Sequence, residues 1–162
     1  MSSEDDAKRE LLRHAVATIA YRGGKAIRGA PDGFATFGVG GGTREAAYVL
    51  AHINDLMEWT LRLANGEKTW RYSVPGTWEA ETERFHEALA RLDGYLASPA
   101  RLHLGIEQIT QGPIADALTH IGQISLLRHC AGSPVRSEVM ILSHIEAGRV
   151  GPDQAPPVRE FD

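Results

Sequence analysis

Asp116 and His120 stand four positions apart in a stretch with helical character. Residues at that spacing share one face of a helix, one turn apart, so a carboxylate and an imidazole can aim at one point. A third donor, His52, is the only histidine of an earlier helical stretch. It falls on the edge of that stretch's apolar arc, on the side of Leu56, Trp59 and Leu63. A neutral imidazole there needs a polar partner, because an unpaired buried polar group costs roughly 1–3 kcal/mol. A buried Asp116 costs more unless it is paired. One divalent ion shared by His52, Asp116 and His120 removes both costs. Three protein donors also leave coordination positions open to water or substrate, the pattern of a catalytic rather than a structural metal site. Spacing alone favours a plainer arrangement: Asp116 and His120 as a surface hydrogen-bonded pair, and His52 as a satisfied core histidine.

Other residues carry weaker signals. Gln123, about a turn past His120, can hydrogen-bond a ligand or a bound water, or simply join two helices. Tyr48, a turn before His52, can donate to a bound anion or serve as a rim aromatic. Trp59 can wall a pocket or fill core volume. The glycine-rich segment 38–43 opens a helix, where free backbone N–H groups can bind anions. It lacks a P-loop lysine and no βαβ unit precedes it, so it reads as a flexible connection. Cys130 is the only cysteine, which excludes an internal disulfide and a cysteine-based zinc site. It reads as a buried, inert thiol. His14, His86, His103, His129 and His144 have no companion at ligand spacing and read as surface or packing residues. His144 is the reserve third ligand if Asp116 points elsewhere.

These donors need helices to hold them. Apolar residues Leu11, Leu12, Ala15, Ile19 and Ala26 recur at helical spacing and predict a first helix over 4–29. Ser2 or Ser3 can cap it, and Glu4, Asp5 and Asp6 suit its positive end. The pair Gly23-Gly24 lowers helix propensity and marks a close helix approach or a bend. Proline and glycine make 30–42 a loop. Thr43 then caps a second helix over 44–64, closed by Asn65-Gly66, with Ala46, Val49, Leu50, Ile53, Met57, Leu61 and Ala64 inward and Asp55, Glu58 and Arg62 wet. After a connection over 67–76, Thr77 caps a third helix over 78–97 that turns Phe85, Leu89, Leu92 and Leu96 inward. A short helix over 102–110 is broken by Gly112-Pro113. A fourth long helix follows over 113–130, apolar on most sides and therefore central. A last short helix is expected over 137–146. The proline-rich tail, 147–162, reads as irregular, extended along the bundle or disordered.

The whole chain, 1–162, suits one all-α domain: an up-down four-helix bundle with an extra short helix and an extended C-terminal tail. Basic residues number 17 and acidic residues 21, for a net charge of −4. The cations are scattered among acids and form no stripe, which argues against nucleic acid and against an anionic membrane surface. No apolar run is long enough to cross a bilayer, and the acidic N-terminus lacks a signal core, so the expected location is the cytoplasm.

The segment Asp116-Ala-Leu-Thr-His120-Ile-Gly-Gln123, with the residues after it up to Gly132-Ser, resembles the last core helix of the DinB-like family. These bacterial bundle proteins are named for DNA-damage induction and are related to bacillithiol- and mycothiol-dependent transferases. Their usual pattern is a histidine on the second helix and His-x-x-x-His-x-Gly-Gln on the fourth. His52 takes the first position, and His120-Ile-Gly-Gln123 matches the second half of the fourth-helix motif. Helix order and spacing match along nearly the whole chain. The resemblance implies a helical bundle, a divalent metal (nickel or zinc first, iron or manganese as alternatives) and a homodimer. It also implies a small-molecule substrate, with transfer of a low-molecular-weight thiol to small electrophiles as the leading activity. A metal-dependent hydrolase, or a non-catalytic metal- or ligand-binding dimer, is the alternative. The sequence departs from the pattern at Asp116, where histidine is commonest. A carboxylate is a competent ligand, but its charge weakens the ion as a Lewis acid. The resulting two-histidine, one-carboxylate set suits ferrous iron in other folds.

Overall fold

The computed structural model describes residues 3–161. Ser2 and the side chains of Ser3 and Glu4, expected to cap and charge the first helix, lie outside the described residues. The chain is mostly helical: α1 (Ser3–Ile27), α2 (Ala46–Ala64), α3 (Trp78–Ala97), the single-turn α4 (Ile106–Ile109) and α5 (Ala115–Cys130). Two-residue strands, β1 (Ser137–Glu138) and β2 (Glu160–Phe161), pair antiparallel. No helix among the described residues is long and apolar enough to cross a membrane.

α1 and α2 each pack against both α3 and α5. α2 is the most deeply enclosed helix. Leu50, Ile53, Met57 and Ala64 have no exposed surface, as its apolar spacing predicts. On α3 the Thr77 hydroxyl accepts the Ala80 N–H at 3.2 Å and caps the first turn. Phe85, Leu89, Leu92 and Leu96 follow at steps of three and four and are all buried. Gly23 lets α1 reach α3: a Cβ there would lie 2.4 Å from the Phe85 ring.

α5 is aimed by a break. Between α4 and α5 the chain runs through one wide π-type turn, Thr110–Ile114, in which Gly112 leaves helical geometry at φ −91° and ψ −107°. Pro113 has no N–H to offer the turn before it. The break puts Asp116 in the first turn of α5 and His120 one turn further on.

Several expectations are corrected. α2 begins at Ala46 after Glu45, and Thr43 does not cap it; the Thr43 hydroxyl instead donates to the Gly40 carbonyl. Leu11 is exposed, and the buried face of α1 is set by Leu12, Val16, Ile19 and Ala20. Asp55 is buried, because Arg84 and the Ser73 hydroxyl both donate to its carboxylate at 2.6 Å. α5 is less central than its composition predicts, with Leu126 exposed.

The expected helix over 137–146 is replaced by β1 and a single 3-10 turn, Met140–Leu142. An ionic cluster takes over that segment. The buried Glu138 carboxylate accepts from the Tyr21 hydroxyl (2.7 Å), Lys25 Nζ (2.8 Å) and the Ser143 hydroxyl (2.6 Å). Lys25 also donates to Glu160 on β2. The tail is therefore ordered against α1, with Val150, Gln154 and Ala155 buried. Arg128, buried near the end of α5, donates to the carbonyls of Ala26, Arg28, Gly29 and Ser133, and so ties the C-terminal ends of α1 and α5 together.

Candidate metal centre

α2 and α5 pack side by side, and their contact brings His52 beside Asp116 and His120. His120 Nε2 lies 3.4 Å from one Asp116 oxygen and His52 Nε2 lies 3.9 Å from the other. The two imidazoles meet edge to face, with ring centres 4.7 Å apart. One donor atom from each residue falls within 4.8 Å of the others. Metal–ligand bonds near 2.1 Å in a tetrahedron place donors about 3.4 Å apart. The His120 spacing equals that value, and the His52 spacing, to the other Asp116 oxygen, is 3.9 Å. A spacing as wide as 4.8 Å has to close by about 1.4 Å for such bonds, and Asp116 is exposed. The residues present therefore fit a divalent ion.

The tautomer fits as well. His120 Nδ1 is 2.8 Å from Gln123 Oε1. A carbonyl oxygen only accepts, so Nδ1 donates the hydrogen here, which leaves Nε2, on the side of Asp116 and His52, as the ring's metal-binding nitrogen. Burial, and after it the neighbouring His120, push the His52 pKa below the ordinary histidine value; Asp116 pulls the other way. His52 is thus neutral near pH 7, the form that binds a metal.

An aromatic chain backs His52. The Trp70 ring meets it edge-on at 5.7 Å, and Trp59 and Tyr72 both pack on Trp70. Trp70 and Tyr72 come from the connection between α2 and α3. Their closeness to His52 is a long-range contact that helical spacing does not encode.

Two cavities, each about 570 Å³, border the cluster. His52 and His120 line the first, with Val39, Gly42 and Thr43 of the glycine-rich loop, Arg44, Tyr72, Gln123 and the apolar side chains of Val49, Leu126 and Leu127. Asp116 lines the second, with Leu56, Trp59, Leu63, Gln108 and Thr119. Their volumes lie in the range of small-molecule sites.

The remaining candidates fall out as follows. Gln123 bonds His120 within α5 rather than joining two helices. Trp59 walls the second cavity. Tyr48 lines neither cavity; its ring lies beneath the Arg44 guanidinium at 4.4 Å. His144 is exposed and outside the cluster. Cys130 is exposed rather than buried, because the last turn of α5 turns it outward. Arg44 was not among the residues singled out by spacing, and only its place beside the glycine-rich loop hinted at a role. Comparison with protein-family models, curated proteins and solved structures returns no match.

Proposed function

We propose that this chain is a divalent-metal-dependent enzyme of the DinB-like kind that transfers a low-molecular-weight thiol to small electrophiles. The observation that carries this reading is the convergence of His52, Asp116 and His120, from two helices, on one point that two cavities reach. The motif around His120 supports it. We read the four long helices as one bundle, active as a cytoplasmic homodimer, as the resemblance implies. Zinc or nickel is the first choice of ion, and iron or manganese the alternative.

His52 and His120 would hold the ion through Nε2 and Asp116 through one oxygen. When bound, the ion lowers the pKa of a thiol or water and polarises an electrophile. Gln123 keeps His120 in the binding tautomer. The aromatic chain behind His52 limits its rotation and keeps water away from one side. Val49, Leu126 and Leu127 give the first cavity an apolar wall against which an electrophile packs.

The linings also favour thiol transfer over hydrolysis. Apart from the three donors, neither lining contains a carboxylate or a further imidazole. Hydrolysis gains from a separate base, because water is a far weaker acid than a thiol of pKa about 8.5. Asp116 in place of histidine gives a specific ground for the second reading, a bundle that holds a metal or small ligand without catalysis.

Elemental analysis of the purified protein tests the assignment. One divalent ion per chain is expected, lost in His52→Ala, Asp116→Ala and His120→Ala while far-UV circular dichroism stays unchanged. Unaltered metal occupancy in His120→Ala would sink the assignment. Asp116→His should keep or strengthen binding. Metal-dependent disappearance of a thiol in the presence of an electrophile then separates enzyme from binding protein.

A further inference from the structure

Arg44 stands just before α2 and lines the first cavity. No carboxylate neutralises it among the described residues. Its guanidinium lies over the Tyr48 ring at 4.4 Å, which restrains the long side chain and leaves the edge N–H groups free. The cavity contains no acidic residue, and much of its wall is Val39, Val49, Leu126 and Leu127. It thus joins one restrained cation to an apolar surface, with His52 and His120 also in its lining.

We propose that this cavity takes an amphipathic monoanion, a compact apolar body bearing one carboxylate or sulfonate that Arg44 holds. A guanidinium edge matches either group through paired N–H···O bonds. A polyphosphate or nucleic acid needs several cations, and the lining supplies one. The chain's net charge of −4 also works against polyanions. An uncharged molecule gains only the wall contacts. This inference deepens the function proposed above and rests on it for the molecule's role as substrate; the binding itself needs no ion.

The test is isothermal titration calorimetry on the full chain after chelator treatment, with 2-naphthoate and its neutral match 2-naphthamide. The carboxylate is expected to bind about fivefold more tightly, the upper end for an ion pair at a solvent-exposed arginine. Arg44→Gln should abolish that preference and leave the amide's affinity unchanged. Leu126→Asp, at an exposed position that tolerates a charge, should weaken both compounds and the carboxylate more. Equal binding of the two by the unaltered protein, a preference that survives Arg44→Gln, indifference to Leu126→Asp, or no binding at all would overturn the proposal. Metal content is measured on the same preparations before chelation. A protein that carries no metal yet shows the Arg44-dependent preference would refute the metal-enzyme reading and leave this one standing.

Discussion

Replacing Gln123 by leucine tests a residue that would hold the metal only through His120, although it also lines the first cavity. Gln123 accepts from His120 Nδ1 at 2.8 Å and is exposed, so its loss opens no cavity. In the variant, His120 is free to move its hydrogen to Nε2, the atom that has to carry the lone pair. The hydrogen bond also strengthens when the ring binds a cation, because the N–H becomes more acidic. Hydrogen bonds to charged groups contribute about 1.5–3 kcal/mol. At 1.4 kcal/mol per factor of ten, metal affinity should fall about tenfold to a hundredfold. Competition with a chromogenic zinc chelator at about pH 7.5 reads this directly. Thermal unfolding of the chelated proteins serves as the control and should match within about 1 °C, as an exposed substitution away from any packed contact allows. Gln123→Glu should hold zinc at least as tightly as the unaltered protein, since a carboxylate is the stronger acceptor. Zinc affinity in Gln123→Leu within twofold of the unaltered protein would refute the tautomer argument.

Two further predictions concern the frame around the centre. Gly23→Ala drives a methyl group to 2.4 Å from Phe85 in a packed core. Overpacking of this kind costs about 1–3 kcal/mol, and helix propensity returns about 1. Urea unfolding should show a net loss of about 1 kcal/mol, the middle of a range from about 0 to 2, relieved in Gly23→Ala/Phe85→Leu; an alanine variant more stable than the original would mean the ring yields freely. At Glu138, burial opposes ionisation, but hydrogen bonds from Lys25, Ser143 and Tyr21 outweigh it and hold the carboxyl below its ordinary value. The resulting stability is complete above the unfolded-state value, near 4.3, and is lost as pH falls through the lower folded value. Glu138→Gln should cost about 3 kcal/mol near pH 7 and flatten the acid limb of a stability–pH profile; an unchanged acid limb would place the titration elsewhere.

Periodicity made α3 legible, because Phe85, Leu89, Leu92 and Leu96 form one stripe and Thr77 is a local cap. The grouping of His52, Asp116 and His120 was legible for a related reason: Asp116 and His120 share a helix face, and His52 is a polar residue beside an apolar arc. What spacing did not carry is long-range pairing. Asp55 looks like a solvent-facing acid until Arg84, 29 positions later, reaches it. Residues 137–146 look helical until Tyr21 and Lys25, more than a hundred positions earlier, capture Glu138. Arg128 is a surface cation by composition and a buried clamp in the fold, since three of the carbonyls it satisfies, those of Ala26, Arg28 and Gly29, lie at the end of another helix. Arg44 and Trp70 were missed for the same reason. Each acts on the centre from a loop, where no helical period marks which residues face inward.

The charge at the centre ties Asp116 to Arg44. A divalent ion held by two neutral imidazoles and one carboxylate retains one positive charge, whereas three imidazoles would leave two. The weaker residual charge attracts an anion less strongly and polarises an electrophile less. A fixed cation on the same cavity compensates for the first of these losses without touching the ion. Arg44 stands there, beyond the donor atoms and clear of acidic partners among the described residues. It also lowers the His52 pKa, a smaller effect than that of burial, and so favours the neutral ligand form. Under the proposed function, a substrate whose anionic head rests on Arg44 would leave the single charge at the ion free for a thiolate. The carboxylate that would weaken the ion as a Lewis acid would then suit the site to a monoanionic nucleophile whose charge the ion could fully neutralise.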